Sequence, residues 1–196
     1  MNRTDIIDAV VTRTKRPDLQ DEIWLNIQQA TLTAHNKDFF KRDLAEVPLV
    51  YNPTIIKGQI IVDSVLPAFR KICYIRKYDP DTQTLGSFLT EVEPDKQIDY
   101  WNRAKADVYY IGGKVVNWQA STEEKAHIVG YWRFPDVSKE KYDSWIADMY
   151  PFCIIERAVS KIFRTIGQED QARSLQQDIM EADSLVQINE VVSQGR

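Results

Sequence analysis

Asp107-Val108-Tyr109-Tyr110-Ile111-Gly112-Gly113-Lys114-Val115-Val116-Asn117-Trp118 is the stretch that decides the fold. Two runs of β-branched and aromatic residues flank a Gly-Gly pair, the chemistry that a two-residue turn with positive φ requires. The stretch therefore predicts an antiparallel hairpin. On its C-terminal side, Ala126 to Phe134 reads as a further strand, closed by Pro135. On its N-terminal side, the character changes at Val47. Pro48 and Pro53 precede Thr54-Ile55-Ile56-Lys57-Gly58-Gln59-Ile60-Ile61-Val62, a β stretch whose glycine marks a bulge or a close approach. Leu66 to Tyr78 continues it. There Ile72, Tyr74 and Arg76 alternate with Cys73, Ile75 and Lys77, so one face should be drier than the other. Asp79-Pro80-Asp81 supplies a turn.

Helical patterns lie on both sides of this β region. Thr4 is placed to cap a short helix that ends near Arg13 or Thr14. Pro17 and Asp18 open a longer one, whose stripe of Leu19, Ile23, Ile27, Ala30 and Ala34 follows the spacing of a core-facing helix. After the strands, Tyr142 to Met149 makes a short helix. Pro151 starts another, with Phe152, Ile155, Val159, Ile162, Phe163 and Ile166 as its apolar stripe and Gly167 as its stop. A last helix over 169–185 sets Ala172, Leu175, Ile179 and Ala182 on one face. The tail beyond it alternates apolar residues that have little left to pack on. Helices, then strands, then helices predict an α+β protein: a helical bundle of residues 1–46 and 136–196, with an antiparallel β subdomain of residues 47–135 inserted into it.

Composition narrows the function classes. Apolar residues make up 43% of the 196, enough for one core of good size and too many for a disordered chain. No apolar run approaches the roughly 20 residues a bilayer span needs, so no membrane partner is expected. The start, Met1-Asn2-Arg3-Thr4-Asp5, lacks the apolar segment of a signal peptide, which predicts a protein made and kept in the cytoplasm. Cys73 and Cys153 stand far apart among apolar neighbours and read as buried, inert thiols. The net charge of −4 argues against bulk affinity for DNA. The acid is concentrated between Gln168 and Asp183, where Glu169, Asp170, Asp178, Glu181 and Asp183 face one base, Arg173. A solvated helix face explains this, and so does a surface that must not hold DNA.

Catalytic chemistry finds little support. His35 and His127 have no Cys, Asp or Glu at ligand spacing, so no metal or cofactor is expected. The strands on both sides of Gly112-Gly113 make that pair a turn, because a phosphate cradle needs a helix start behind it. Pro94-Asp95 with Glu123-Glu124-Lys125 has the letters of a metal-dependent nuclease site, which needs two carboxylates on adjacent strands. Residues 121–125 have instead the polar composition of an exposed turn, and the chain lacks a basic face. The aromatic residues Tyr109, Tyr110, Trp118, Tyr131 and Trp132 cluster in the β region. Core packing accounts for at least half of them, and those that alternate outward suit protein–protein contacts.

Several pieces together resemble the head-to-tail connector, or adaptor, proteins of tailed bacteriophages, including the tail tubular protein A type. They are Asp38-Phe39-Phe40-Lys41-Arg42-Asp43-Leu44 after the N-terminal helices, the Tyr110-Ile111-Gly112-Gly113-Lys114-Val115 hairpin, and Tyr142 to Pro151 leading into Ala158 to Gly167, with the acidic helix 169–185. The likeness covers nearly the whole chain, by architecture and scattered residues. It implies a non-enzymatic virion protein of the neck, a ring usually of twelve copies between the portal and the tail or nozzle protein, with DNA only as cargo through the lumen. On that likeness, Leu185, Val186, Ile188, Val191 and Val192 would dock on the portal. The hairpin residues Ile111, Gly112, Gly113 and Lys114 would contact the tail or a neighbour, and the acids of 169–183 would face the channel. Another tail or neck completion protein is the alternative reading, and a metal-dependent nuclease a minor one.

Overall fold

A computed structural model of the chain describes residues 1–50, 57–96, 107–119 and 126–193. The fold is α+β, with helices at both ends of the chain and sheets between them. It divides into two compact units, Met1–Asp43 with Phe134–Arg196, and Leu44–Arg133.

The helical unit begins with α1 (Arg3–Thr14). Its cap is Asn2 rather than Thr4: the Asn2 side chain accepts from the Asp5 amide and the Asp5 carboxylate accepts from the Asn2 amide. This reciprocal pair satisfies two otherwise orphaned donors. Pro17–Leu19 forms a 3-10 turn before α2 (Gln20–His35), which buries Ile23, Ile27, Ala30 and Ala34. The short helix after the strands is α4 (Trp145–Met149), capped by Ser144. Tyr142 and Asp143, expected to be helical, instead form strand β10, paired with β9 (Asp136–Val137). Then α5 (Pro151–Thr165) packs against α1 and α2 and buries Ile154, Ile155, Ala158, Val159 and Ile162. Phe152, placed in its stripe by sequence, is 60% exposed, because Ile154 and Ala158 take the inward positions.

Gly167 stops α5 as expected. It takes φ +77°, its amide donates to the Arg164 carbonyl and that of Gln168 donates to Phe163, the paired bonds of a glycine-terminated helix. Helix α6 then runs over Glu169–Ser193, eight residues beyond the expected end. Extension brings Val186 and Glu190 onto the face already set by Ala172, Leu175 and Ile179, so the tail is helical and packs on the core.

The β unit holds two sheets. One has strand order β1-β8-β3-β4 and is antiparallel throughout, from β1 (Leu44–Val50), β3 (Phe69–Asp79), β4 (Thr84–Phe88) and β8 (Ala126–Arg133). The other has order β2-β7-β6-β5, from β2 (Lys57–Ile61), β5 (Thr90–Glu91), β6 (Val108–Gly112) and β7 (Val115–Gln119). Its β5–β6 pair is parallel, a departure from the antiparallel expectation. A single helical turn, α3 (Val62–Val65), follows β2. The predicted hairpin is β6–β7, with its turn one residue later than read: Gly112 pairs with Val115, and Gly113-Lys114 is the loop. Positive φ falls on Gly113, at +62°, the first of the two loop residues.

Alternation fails in β3 for a definite reason. The register shifts between Ile72 and Tyr74, a bulge that lets both Ile72 and Ile75 enter the core although their parity differs. Cys73, expected to be buried, is exposed by the same irregularity, whereas Cys153 is buried. In β8, Gly130 leaves room for the Tyr74 ring, which lies where a Cβ would stand, at 2.5 Å. The Tyr74 hydroxyl donates to Glu46 across the sheet.

Candidate interaction surface

The most built part of the helical unit is the seat of α6. At 3.6 residues per turn, positions 172, 179, 183, 186 and 190 share one face. Ala172 and Val186 supply its fully buried apolar contacts, and Asp183 and Glu190 bring carboxylates into the same interface. Three cations meet them. Arg157, from the buried middle of α5, donates to both oxygens of Asp183, and Lys37 Nζ lies 3.4 Å from that carboxylate. Arg42 Nε donates to Glu190 at 3.0 Å. Ser160 adds a hydroxyl donated to the Ala172 carbonyl. The side chains of Arg157 and Asp183 are 9% and 14% exposed, so each depends on the other to remain charged away from water.

Cys153 sits in this network, 3.3 Å from Asp183 and 3.1 Å from Arg157. Burial pushes its thiol up to about 11, against a smaller lowering by Arg157. Inert describes it well at neutral pH.

The face of α6 opposite the seat is apolar at its centre. Met180, Ser184 and Ile188 follow one another at every fourth residue, with Leu185 beside them. Met180 is 66% exposed, Leu185 55% and Ile188 58%. Asp178 and Glu181 border this stripe, and Arg173 lies at its N-terminal end.

Of the five residues expected to dock on a portal, the structure therefore separates three. Leu185 and Ile188 are exposed, while Val186 belongs to the core. Val191 and Val192 fall in the last turn of α6, and their side chains lie outside the described residues. The five acids do not share a face. Glu169, Asp170, Asp178 and Glu181 are exposed in different directions around the helix, and Asp183 points inward to Arg157. In the hairpin, Gly112, Gly113 and Lys114 are exposed and Ile111 packs on the β core. Lys114 Nζ reaches Asp63 of α3 at 2.6 Å, so the loop is tethered to its own unit.

A second cluster escaped the sequence reading. His35 Nδ1 lies 3.0 Å from both oxygens of Asp43, and His35 Nε2 lies 2.9 Å from Ser144 Oγ. A carboxylate can only accept, so the proton sits on Nδ1 and Ser144 donates to Nε2. Trp145 Nε1 also donates to Asp43, at 2.8 Å, and Ser144 Oγ accepts the Ala147 amide at 3.2 Å. The order of groups is that of an acyl-transfer triad. Here the serine is 4% exposed and caps α4, and the chain of bonds fixes Asp43 at the last residue of the helical unit's first segment. Tyr142 extends the same polar layer, its hydroxyl 2.8 Å from Thr31 Oγ1. Burial above all pushes that phenol up to about 12.

The remaining sequence candidates are placed singly. Asp95 lies in an exposed turn over 94–96, and Glu123, Glu124 and Lys125 lie outside the described residues. His127 is buried in β8 against the Trp118 ring. Among the described residues no group of three or more His, Cys, Asp or Glu could hold a metal ion, and no helix is long and apolar enough to cross a membrane. Tyr109, Trp118 and Tyr131 are buried, while Tyr110 and Trp132 are partly exposed.

No protein-family model matches the chain, and no curated protein matches it in sequence.

Proposed function

We propose that the chain is a structural subunit of a tailed-phage virion, a head-to-tail adaptor that assembles as a ring between portal and tail and passes DNA through its lumen. The observation that carries this reading is the division of labour in α6. Its inner face is fixed by buried charge pairs, and its outer face offers Met180, Leu185 and Ile188 to a partner. A soluble chain that exposes a row of large apolar side chains on a firmly seated helix is equipped for assembly. The resemblance of the Asp38–Leu44 segment, the β6–β7 hairpin and the segment from Tyr142 to Gly167 to the adaptor family adds the kind of assembly.

Each part then has a role. Leu185 and Ile188 make the contact with a neighbouring subunit or the portal. The loop Gly113-Lys114, tethered to Asp63, is a rigid tip able to meet a neighbour or the tail protein. The exposed acids Glu169, Asp170, Asp178 and Glu181 keep α6 from holding DNA phosphates that pass nearby. Twelve copies, matched to the portal, is the stoichiometry of this reading.

Native mass spectrometry of the full chain, alone and with its cognate portal, tests it. Equal copy numbers of chain and portal are the expected result. No binding, or a stable sixfold or threefold species, would move the chain to another tail or neck component.

A further inference from the structure

The helical unit carries a second exposed apolar patch, and its charge is opposite to that of the α6 stripe. Phe39 is 41% exposed and Met149 is 49% exposed. Arg42 joins them, since it follows Phe39 closely in the chain and its guanidinium donates to Met149 Sδ at 2.8 Å. Beneath them, buried Phe40 and Trp145 meet edge to face at 5.3 Å, which makes the patch a fixed surface. Lys37, Lys41 and Arg42 surround it, against one acid, Asp38, whose carboxylate accepts from the Phe39 amide. The side chains of Lys37 and Arg42 remain 47% and 45% exposed although each meets an α6 carboxylate. Among the described residues Lys41 makes no ion pair, and neither do Asp178 and Glu181 beside the α6 stripe.

We infer that these two patches are the two halves of one contact between copies of this chain: the acidic-edged outer face of α6, at Met180, Leu185 and Ile188, seats on the basic-edged patch at Phe39 and Met149 of the next copy. The inference rests on the assembly reading above and names the surfaces that join its subunits. A second copy is favoured because the chain itself supplies both the apolar area and the opposite charge at the rims. The contact is heterologous. Two α6 stripes related by a two-fold axis would bring Asp178 and Glu181 toward the same acids, and two basic patches would oppose Lys41 with Lys41, arrangements that like-charge repulsion disfavours. Acid against base leaves each copy with one free half of each kind, and such contacts close into a ring when the rotation between copies allows.

The experiment uses two crippled full-length chains. One carries Leu185→Asp and Ile188→Asp, which spoil the α6 stripe. The other carries Phe39→Asp and Lys41→Glu, which spoil the basic patch. All four positions are exposed, and circular dichroism melts confirm that each chain folds. In native mass spectrometry at rising concentration the unaltered chain forms multimers, and each crippled chain alone stays monomeric. Mixed, the two give a one-to-one dimer that grows no further, because only one good half of each kind is left. A two-fold contact through α6 predicts instead that the second chain dimerises alone, and that result overturns the inference. So does an unaltered chain that is monomeric at every concentration.

Charge reversal gives an independent reading. Lys41→Glu and Glu181→Lys should each weaken multimer formation at least about tenfold, and both in one chain should restore it. Absence of restoration counts against this pairing. The assembly reading fails separately: multimers that form through these patches yet ignore a portal keep the contact and remove the adaptor role.

Discussion

Helices α5 and α6 are adjacent in sequence and packed on each other, yet they obey different rules. From Cys153 to Ser160 every residue of α5 is buried, so the helix is enclosed around its whole circumference. Two of those residues, Glu156 and Arg157, are charged, and each survives there through a partner, Arg13 and Asp183. In α6 burial is confined to one face, and that face combines alanine and valine with carboxylates. A central helix gets its stability from apolar packing. A peripheral helix with so little apolar area on its seat is held in place by charge, and its outer face stays free to meet another chain.

That contrast can be broken from the α5 side with the largest effect. Ile154→Ala removes a fully buried side chain from the helical core and should cost about 3–4 kcal/mol in denaturant unfolding. Asp183→Ala should cost about 3 kcal/mol, since it strands Arg157 in a site that is 9% exposed. The informative comparison is Asp183→Ala against the double variant with Arg157→Met. If α6 is seated by charge, the second change should recover part of the loss, because it removes the stranded cation as well. A double variant less stable than Asp183→Ala alone would show that packing by the Arg157 stem outweighs the ion pair.

These pairs also mark what the sequence could and could not reveal. The element order, the Pro151 start, the Gly167 stop and the β6–β7 hairpin are legible because each is set by local chemistry: a ring-fixed φ, a positive φ, a turn glycine between β-branched runs. The end of α6 is misread because a polarity pattern treats Asp183 and Glu190 as outward-facing. Their inward orientation depends on Arg157, from α5, and Arg42, more than a hundred residues away. The spacing of Ala172, Ile179, Val186 and Glu190 holds the signal, but only to a reader who allows a carboxylate on the buried face. The bulge in β3 is likewise silent in the sequence, and it reverses the expectation for Cys73. The cluster of His35, Asp43 and Ser144 joins positions 109 apart and has no local signature at all.

A glycine sharpens the comparison within the β unit. A Cβ at position 130 would stand 2.5 Å from the Tyr74 ring, so Gly130→Ala must displace that ring from β8. A loss of about 1–3 kcal/mol is expected. Tyr74→Ala in the same chain should absorb most of it, and equal losses with and without the ring would place the strain in the backbone instead.

The pH dependence of the α5–α6 junction gives a smaller effect. Burial raises the Cys153 thiol from 9.0 to about 11, so its contribution is complete below pH 9 and is lost as pH rises toward 11. Compared with Cys153→Ala, the unaltered chain should lose about 1–2 kcal/mol more over that interval. The exposed Cys73 should react with a thiol reagent at pH 8 in the folded protein, whereas Cys153 should react only after unfolding.

The smallest effect on stability falls on the outer face of α6, and it bears most directly on function. Leu185 and Ile188 touch water over more than half their surface, so serine at both positions should change unfolding free energy by no more than about 0.5 kcal/mol each. Serine also lowers helix propensity slightly, which sets the sign of any residual change. The same double variant should lose assembly. A stable monomer that no longer multimerises separates the two faces of one helix, the inner acting on folding and the outer on association. A large loss of stability would show instead that these side chains already have a partner within the chain, and the outer face would cease to be a candidate for any contact.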